Sequence, residues 1–127
     1  MLKTQGEMEA AVCDCISRFE QEFMGRGPKE VHAHLIQRTL FIRLQGVLTI
    51  AEQQLVTTLS PGRGRDLLKQ VRTQLIETAR PHLERLIGEI TGRSVVSLHH
   101  DISTVTGEEI VVLSLDEAPT TRHFKAS

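Results

Sequence analysis

Two short apolar runs after a Gly-Arg-Gly-Pro break, Val31 to Ile36 and Thr39 to Leu44, read as a β-hairpin turning at Gln37-Arg38. A two-residue turn sets Ile36 opposite Thr39, Leu35 opposite Leu40, Ala33 opposite Ile42 and Val31 opposite Leu44. Side chains alternate across a strand, so one face is wholly apolar, while the other carries His32, His34, Ile36, Thr39, Phe41 and Arg43. The pattern predicts a half-buried sheet with a basic outer face. Before the hairpin, Met8, Val12, Cys15, Phe19 and Phe23 recur at helical spacing from about Thr4 to Met24, where Gly25, Gly27 and Pro28 end the helix.

After Gly46, Thr49 with Glu52 three residues on forms a capping-box pattern for a short helix bearing Leu55, Val56 and Leu59. Ser60-Pro61-Gly62-Arg63-Gly64 breaks it. From Arg65 to about Thr91 runs the longest periodic segment, with Leu68, Val71, Leu75, Ala79, Leu83, Leu86 and Ile90 in one stripe, widened by Leu67, Ile76 and Ile87. Pro81 inside it removes a backbone hydrogen bond, which predicts a kink near Glu77 to Pro81 or two abutting helices. Gly92 follows as a stop. Val95 to Ile102 and Glu109 to Leu115 then pair around Ser103 to Glu108, with Ile102 facing Glu109, Leu98 facing Leu113 and Val96 facing Leu115. The expected fold is a single-domain α+β two-layer sandwich over residues 1–116: a four-stranded antiparallel sheet of two hairpins, helices on one face, in the order α-β-β-α-α-β-β. Residues 117–127 read as a polar, flexible tail. Strand order is not legible.

With 127 residues and 39% hydrophobic positions, the chain suits one modest core. A net charge of −1 and only four aromatic residues, all Phe, argue against a nucleic-acid partner, which wants basic excess and stacking platforms. The start has neither the charged nor the apolar region of a signal peptide, and no apolar run approaches the roughly 20 residues that span a bilayer. The chain is expected to be cytoplasmic. Cys13 and Cys15, two apart on a helix, diverge and read as free thiols; redox sensing by either would need a depressed thiol pKa.

Four ordered segments resemble a known family: Glu20-Gln21-Glu22-Phe23-Met24-Gly25-Arg26-Gly27-Pro28, Arg43-Leu44-Gln45-Gly46-Val47-Leu48-Thr49, Glu77-Thr78-Ala79-Arg80-Pro81, and Asp101-Ile102-Ser103-Thr104-Val105-Thr106-Gly107-Glu108. Together they look like the MpsC-like family of short bacterial proteins, over roughly Gln5 to Asp116. The resemblance implies an accessory component of a Na+-translocating, membrane-potential-generating system associated with uptake of dissolved inorganic carbon. It also allows peripheral attachment at the inner membrane face through a transporter subunit.

No catalytic or cofactor signature accompanies these segments. Arg26, held between two glycines, can approach a carboxylate, phosphate or carbonate with little steric interference, and Arg43 and Arg80 are candidates of the same kind; the competing reading is an internal ion pair. His32 and His34 share a strand face about 6 to 7 Å apart, and with His99 and Asp101 would make a four-ligand metal set if the two hairpins adjoined suitably. Three classes follow. The first is a self-associating accessory module, homodimeric because the long helix is too apolar for one sheet face to cover, docking through an outer sheet face that carries Phe41, Ile36 and Val112. The second is a bicarbonate-like anion sensor using the arginines, and the third a His-ligated metal enzyme.

Overall fold

Local chemistry starts each element of this computed structural model, which describes residues 2–58 and 62–122. Helix α1 (Gln5–Met24) opens on a capping box, in which Thr4 Oγ1 accepts from Glu7 N (3.1 Å) and Glu7 Oε1 accepts from Thr4 N (2.8 Å). Strands β1 (Glu30–Ile36) and β2 (Thr39–Gln45) pair in the register read from the sequence, with Gln37 taking the positive φ of 55° that the tight turn needs. Helix α2 (Ile50–Thr58) starts on the Thr49–Glu52 capping box.

Helix α3 (Arg63–Thr91) runs through Pro81 as one helix rather than two. Strands β3 (Val95–Ile102) and β4 (Glu109–Leu115) close the chain as the second hairpin. Its register holds at Ile102–Glu109 and Leu98–Leu113, but an irregularity between Val95 and Ser97 puts Val95, not Val96, opposite Leu115. Val96 is consequently 56% exposed instead of facing inward.

The antiparallel sheet has the order β1-β2-β4-β3, joined at the centre by β2 and β4. Helices α1 and α3 cover one face, α1 against β1 and α3 against β3, while α2 packs on α3. Leu40, Ile42, Leu44, Leu113 and Leu115 from the sheet meet Val12, Ile16, Leu83 and Ile87 from the helices in one core. Beyond Asp116, Arg122 donates its backbone N–H to Lys3 O (2.7 Å) and its guanidinium to Glu7 (3.0 Å), and Pro119 is buried. Residues 123–127, the rest of the expected flexible tail, lie outside the described residues.

Both long helices are rotated relative to the expected stripes. Helix α1 buries Met8, Val12, Ile16, Phe19 and Glu20, leaving Phe23 41% exposed, and α3 buries Leu68, Arg72, Ile76, Ala79, Leu83 and Ile87. Leu67, Val71 and Leu75 stand 40–47% exposed along the side of α3. One residue of helix is roughly 100° of rotation, so this shift brings charged residues inward.

Helix α2 buries no residue fully, and it meets α3 at Gly64, where a Cβ would stand 2.2 Å from the Leu55 carbonyl oxygen. Gly64→Ala therefore forces backbone apart. Although alanine is the better helix former, this variant is expected to lose roughly 1–3 kcal/mol in urea unfolding. Gly6→Ala in α1, where a Cβ meets nothing within 4 Å, is expected to gain roughly 0.5–1 kcal/mol. Equal effects at the two sites would refute the close α2–α3 approach.

Candidate functional site

Rotation of α1 and α3 assembles a buried charge cluster where three helices meet the start of β4. Arg72, on α3, donates from Nε to Glu109 Oε2 (3.2 Å), from Nη1 to Glu52 Oε2 (3.1 Å) and from Nη2 to Glu20 Oε1 (3.4 Å). Arg72 and Glu20 are each 2% exposed and Glu109 1%. Glu52 is shared: its other oxygen accepts from Thr49 N and caps α2. One guanidinium thus faces three carboxyl groups, and with the carboxyls ionised Glu20 Oε2 and Glu109 Oε1 find no donor among the described residues.

A proton answers this imbalance. Burial, then the charge and hydrogen bond of Glu109, push the Glu20 carboxyl up to about 9, so at neutral pH Glu20 is the protonated member and can donate to Glu109. Burial works against the Arg72 charge, but the three carboxyl groups, Glu109 first, more than offset it and hold the guanidinium above its ordinary range. The cluster ties α1, α2, α3 and β4 together through one residue.

On the far side of α2 lies a cleft of about 410 Å³. Arg26, in the turn after α1, and Lys29, just before β1, form one wall; Gln53 and Thr57 of α2 form another; Thr104 to Gly107, in the β3–β4 turn, close the third. The turn is internally bonded, Ser103 N to Glu108 O (2.8 Å) and Gly107 N to Ser103 O (2.7 Å). Gly46, at φ 70°, leaves room for Lys29: a Cβ there would stand 2.6 Å from Lys29 Cγ. Three of the four ordered segments singled out in the sequence therefore converge on one cleft, and Glu20 of the first of them reaches the cluster behind it.

Residues 4–117 match the family model described as "Na+-translocating membrane potential-generating system (MpsC)". The chain belongs to the MpsC family. A relative, "Uncharacterized protein YbcI" of Bacillus subtilis (strain 168), is 32% identical over 115 residues, covering 91% of this chain and 90% of that protein. No solved structure is a significant match. The family description links MpsC proteins to a Na+-translocating membrane-potential system, and among the described residues of this MpsC chain no helix is long and apolar enough to cross a membrane.

The arginine candidates of this MpsC protein separate in space. Arg43, on the outer sheet face, sits 3.3 Å from Glu108; Arg80, on α3, bonds Glu84 and lies 3.8 Å from Glu77. Arg26 has no carboxylate within 4 Å among the described residues, and neither does Lys29. Phe41 is 41% exposed in the middle of the outer face, opposite His34 on one side and Val112 on the other. His32 and His34 lie on β1, whereas His99 and Asp101 lie on β3 at the opposite sheet edge. Three strand intervals, roughly 14 Å, separate the pairs, too far for one ion. His32 instead lies 3.8 Å from Glu30, and Asp101 accepts from Lys69 (2.9 Å), which with the Ile102 N–H lowers its carboxyl pKa. Burial pushes both the Cys13 and Cys15 thiols up, opposite to what redox sensing needs.

Sequence reasoning passed over Arg72, Glu20 and Glu109 as functional candidates, although a signal was there. Glu20 continues the i+4 series Met8, Val12, Ile16, and Arg72 sits midway between Leu68 and Ile76. Glu109 has the inward parity of Val111, Leu113 and Leu115. A charge on each of three apolar stripes marks a buried network.

Proposed function

We propose that this MpsC protein is a non-catalytic accessory or regulatory component that self-associates and docks on the membrane complex of its Na+-translocating system through the open face of its sheet. The observation that carries the reading is that no helix among the described residues covers that face. All helices on the sheet lie opposite it, and Ile36 (58% exposed), Phe41 and Val96 give it an apolar character among polar neighbours. A sheet face with an aromatic at its centre and polar residues around it has the make-up of a protein contact. The exposed Leu67, Val71 and Leu75 of α3 provide a second apolar surface, which we assign to homodimer formation. The link to dissolved inorganic carbon uptake belongs to the same proposal.

Phe41→Glu places a charge at the centre of the docking face without touching the core. Pull-down from native membranes is expected to recover a subunit of the Na+-translocating system with the wild type and at least about tenfold less of it with Phe41→Glu, as for loss of an interface anchor. Matching circular dichroism and unfolding curves establish that the variant folds. Equal recovery with both proteins, or recovery of no such subunit with either, would sink the docking reading. Light scattering that gives a monomer at micromolar concentration would sink the dimer.

A further inference from the structure

From the cleft between the Arg26 turn, α2 and the β3–β4 turn, we propose that this protein binds a phosphoryl group of a small phosphorylated ligand, held by Arg26 and Lys29 and closed over by Thr104. This goes beyond docking, and it uses a different surface.

The lining first sets the cleft apart: it holds Arg26 and Lys29 with no acid, whereas Arg18 shares its cleft with Asp14, Glu22 and Glu89, and Arg63 and Arg65 share theirs with Asp66. Arg43, Arg80, Arg93 and Arg122 each hold a carboxylate at or near the surface, and Arg72 holds three in the interior. Arg26 and Lys29 hold none among the described residues, and no Asp or Glu lines the cleft they share. Two cations lining one cleft with no acid in the lining give it a positive potential that favours an anion.

The backbone then aims both groups. Gly25, at φ 78°, ends α1 in a left-handed turn, and Gly27 N donates to Gln21 Oε1 (3.0 Å), fixing the loop on either side of Arg26. Lys29 N donates to Gln45 O (2.8 Å), and the Lys29 stem from Cβ to Cδ lies along the open Cα of Gly46. The opposite wall supplies neutral donors. Thr104 carries a hydroxyl with no internal hydrogen bond among the described residues, and Thr106 Oγ1 accepts from Glu108 N (3.2 Å), which leaves its O–H as a second donor. A planar guanidinium that grips two oxygens, an ammonium point charge and a free hydroxyl suit a tetrahedral dianion better than a planar monoanion, which has fewer oxygens and less charge to share among them. A volume of about 410 Å³ leaves room for an organic body beyond the phosphoryl group, between Leu48 and Val56.

The test is calorimetric titration of the full chain with pyrophosphate, and with inorganic phosphate and bicarbonate at equal ionic strength. Saturable pyrophosphate binding that phosphate competes away is expected, with bicarbonate weaker. Loss of a charge-assisted bond in Arg26→Ala or Lys29→Ala is expected to weaken binding about tenfold or more. Gly46→Ala, which displaces Lys29 without removing a charge, is expected to weaken it as well. Arg43→Ala, on the other face, is expected to leave it unchanged, and Phe41→Glu likewise, so failure here is distinguishable from failure of docking. Absence of saturable binding at millimolar concentration, or equal losses in Arg26→Ala and Arg43→Ala, overturns the proposal. Vesicles of phosphatidylglycerol that bind the protein without competition from phosphate would assign Arg26 and Lys29 to a lipid surface and overturn it too.

Discussion

Arg72→Met is expected to cost about 3–5 kcal/mol of unfolding free energy, the usual consequence of removing one partner from a buried ionic network. Methionine fills the space of the arginine stem but supplies no donor, so Glu20, Glu52 and Glu109 are left facing one another, the first and last of them in the interior. Set against the 5–15 kcal/mol that a typical domain has to lose, this endangers folding near 37 °C. Urea unfolding followed by circular dichroism measures it. Adding Glu109→Gln to Arg72→Met is expected to recover a substantial part of the loss, because the uncompensated buried charge goes with it. A loss below about 1 kcal/mol for the single variant would mean that the guanidinium is not the hub of the cluster.

Glu20 governs the second large effect, a fall in stability as the solution becomes alkaline. Its carboxyl titrates near the ordinary value of 4.5 in the unfolded chain and at about 9 in the folded one. A pKa raised on folding means that the folded state holds the proton more tightly. The resulting stabilisation is complete below about pH 4.5 and is lost as pH rises toward 9, with a slope of up to about 1.4 kcal/mol per pH unit.

The groups facing Glu20 are Glu109 on β4, Arg72 on α3 and Glu52 on α2, and all three bear on the shift. Glu7 and Asp101 act elsewhere on the scale: their carboxyls are lowered, so their contribution is present at neutral pH and fades as pH falls through their folded pKa values. The thiols of Cys13 and Cys15, raised above 9.0, add to the loss only at the top of the range. Glu20→Gln keeps the size and the donor of the protonated acid and cannot ionise. Thermal unfolding between pH 6 and 9 should show the wild type falling steadily while Glu20→Gln falls far less and overtakes it. Parallel curves would show that no proton is held at Glu20.

Both effects originate in residues whose importance the linear pattern concealed, even though that pattern carried most of the architecture. The order α-β-β-α-α-β-β, the register of the first hairpin, most of the second, and the Thr49–Glu52 cap were legible because they depend on alternation and turn or cap chemistry within a few residues. The Val96 irregularity was not legible, since an alternating strand has no mark of where its partner slips. Of the candidate site residues, Arg26, Arg43 and Arg80 could be named for their chemistry; Arg80 meets Glu84 and Glu77 within one turn of its own helix, but whether Arg26 and Arg43 meet a carboxylate is decided by chain segments far from them: Glu108 for Arg43, none among the described residues for Arg26.

The sequence by itself determined the elements, their ends and which strands form hairpins, since those depend on neighbours along the chain. Tertiary structure alone decided that β2 and β4 join the hairpins, that His32 and His34 lie a sheet's width from His99 and Asp101, and which sectors of α1 and α3 face inward. The reason for the last is physical. A wide apolar stripe permits two helix settings about one residue apart, and here Arg72, Glu20 and Glu109 come to share one buried site, leaving Phe23, Val71 and Leu75 toward solvent. Long-range pairing of charges is a property of three-dimensional neighbours, and no window along the chain contains it.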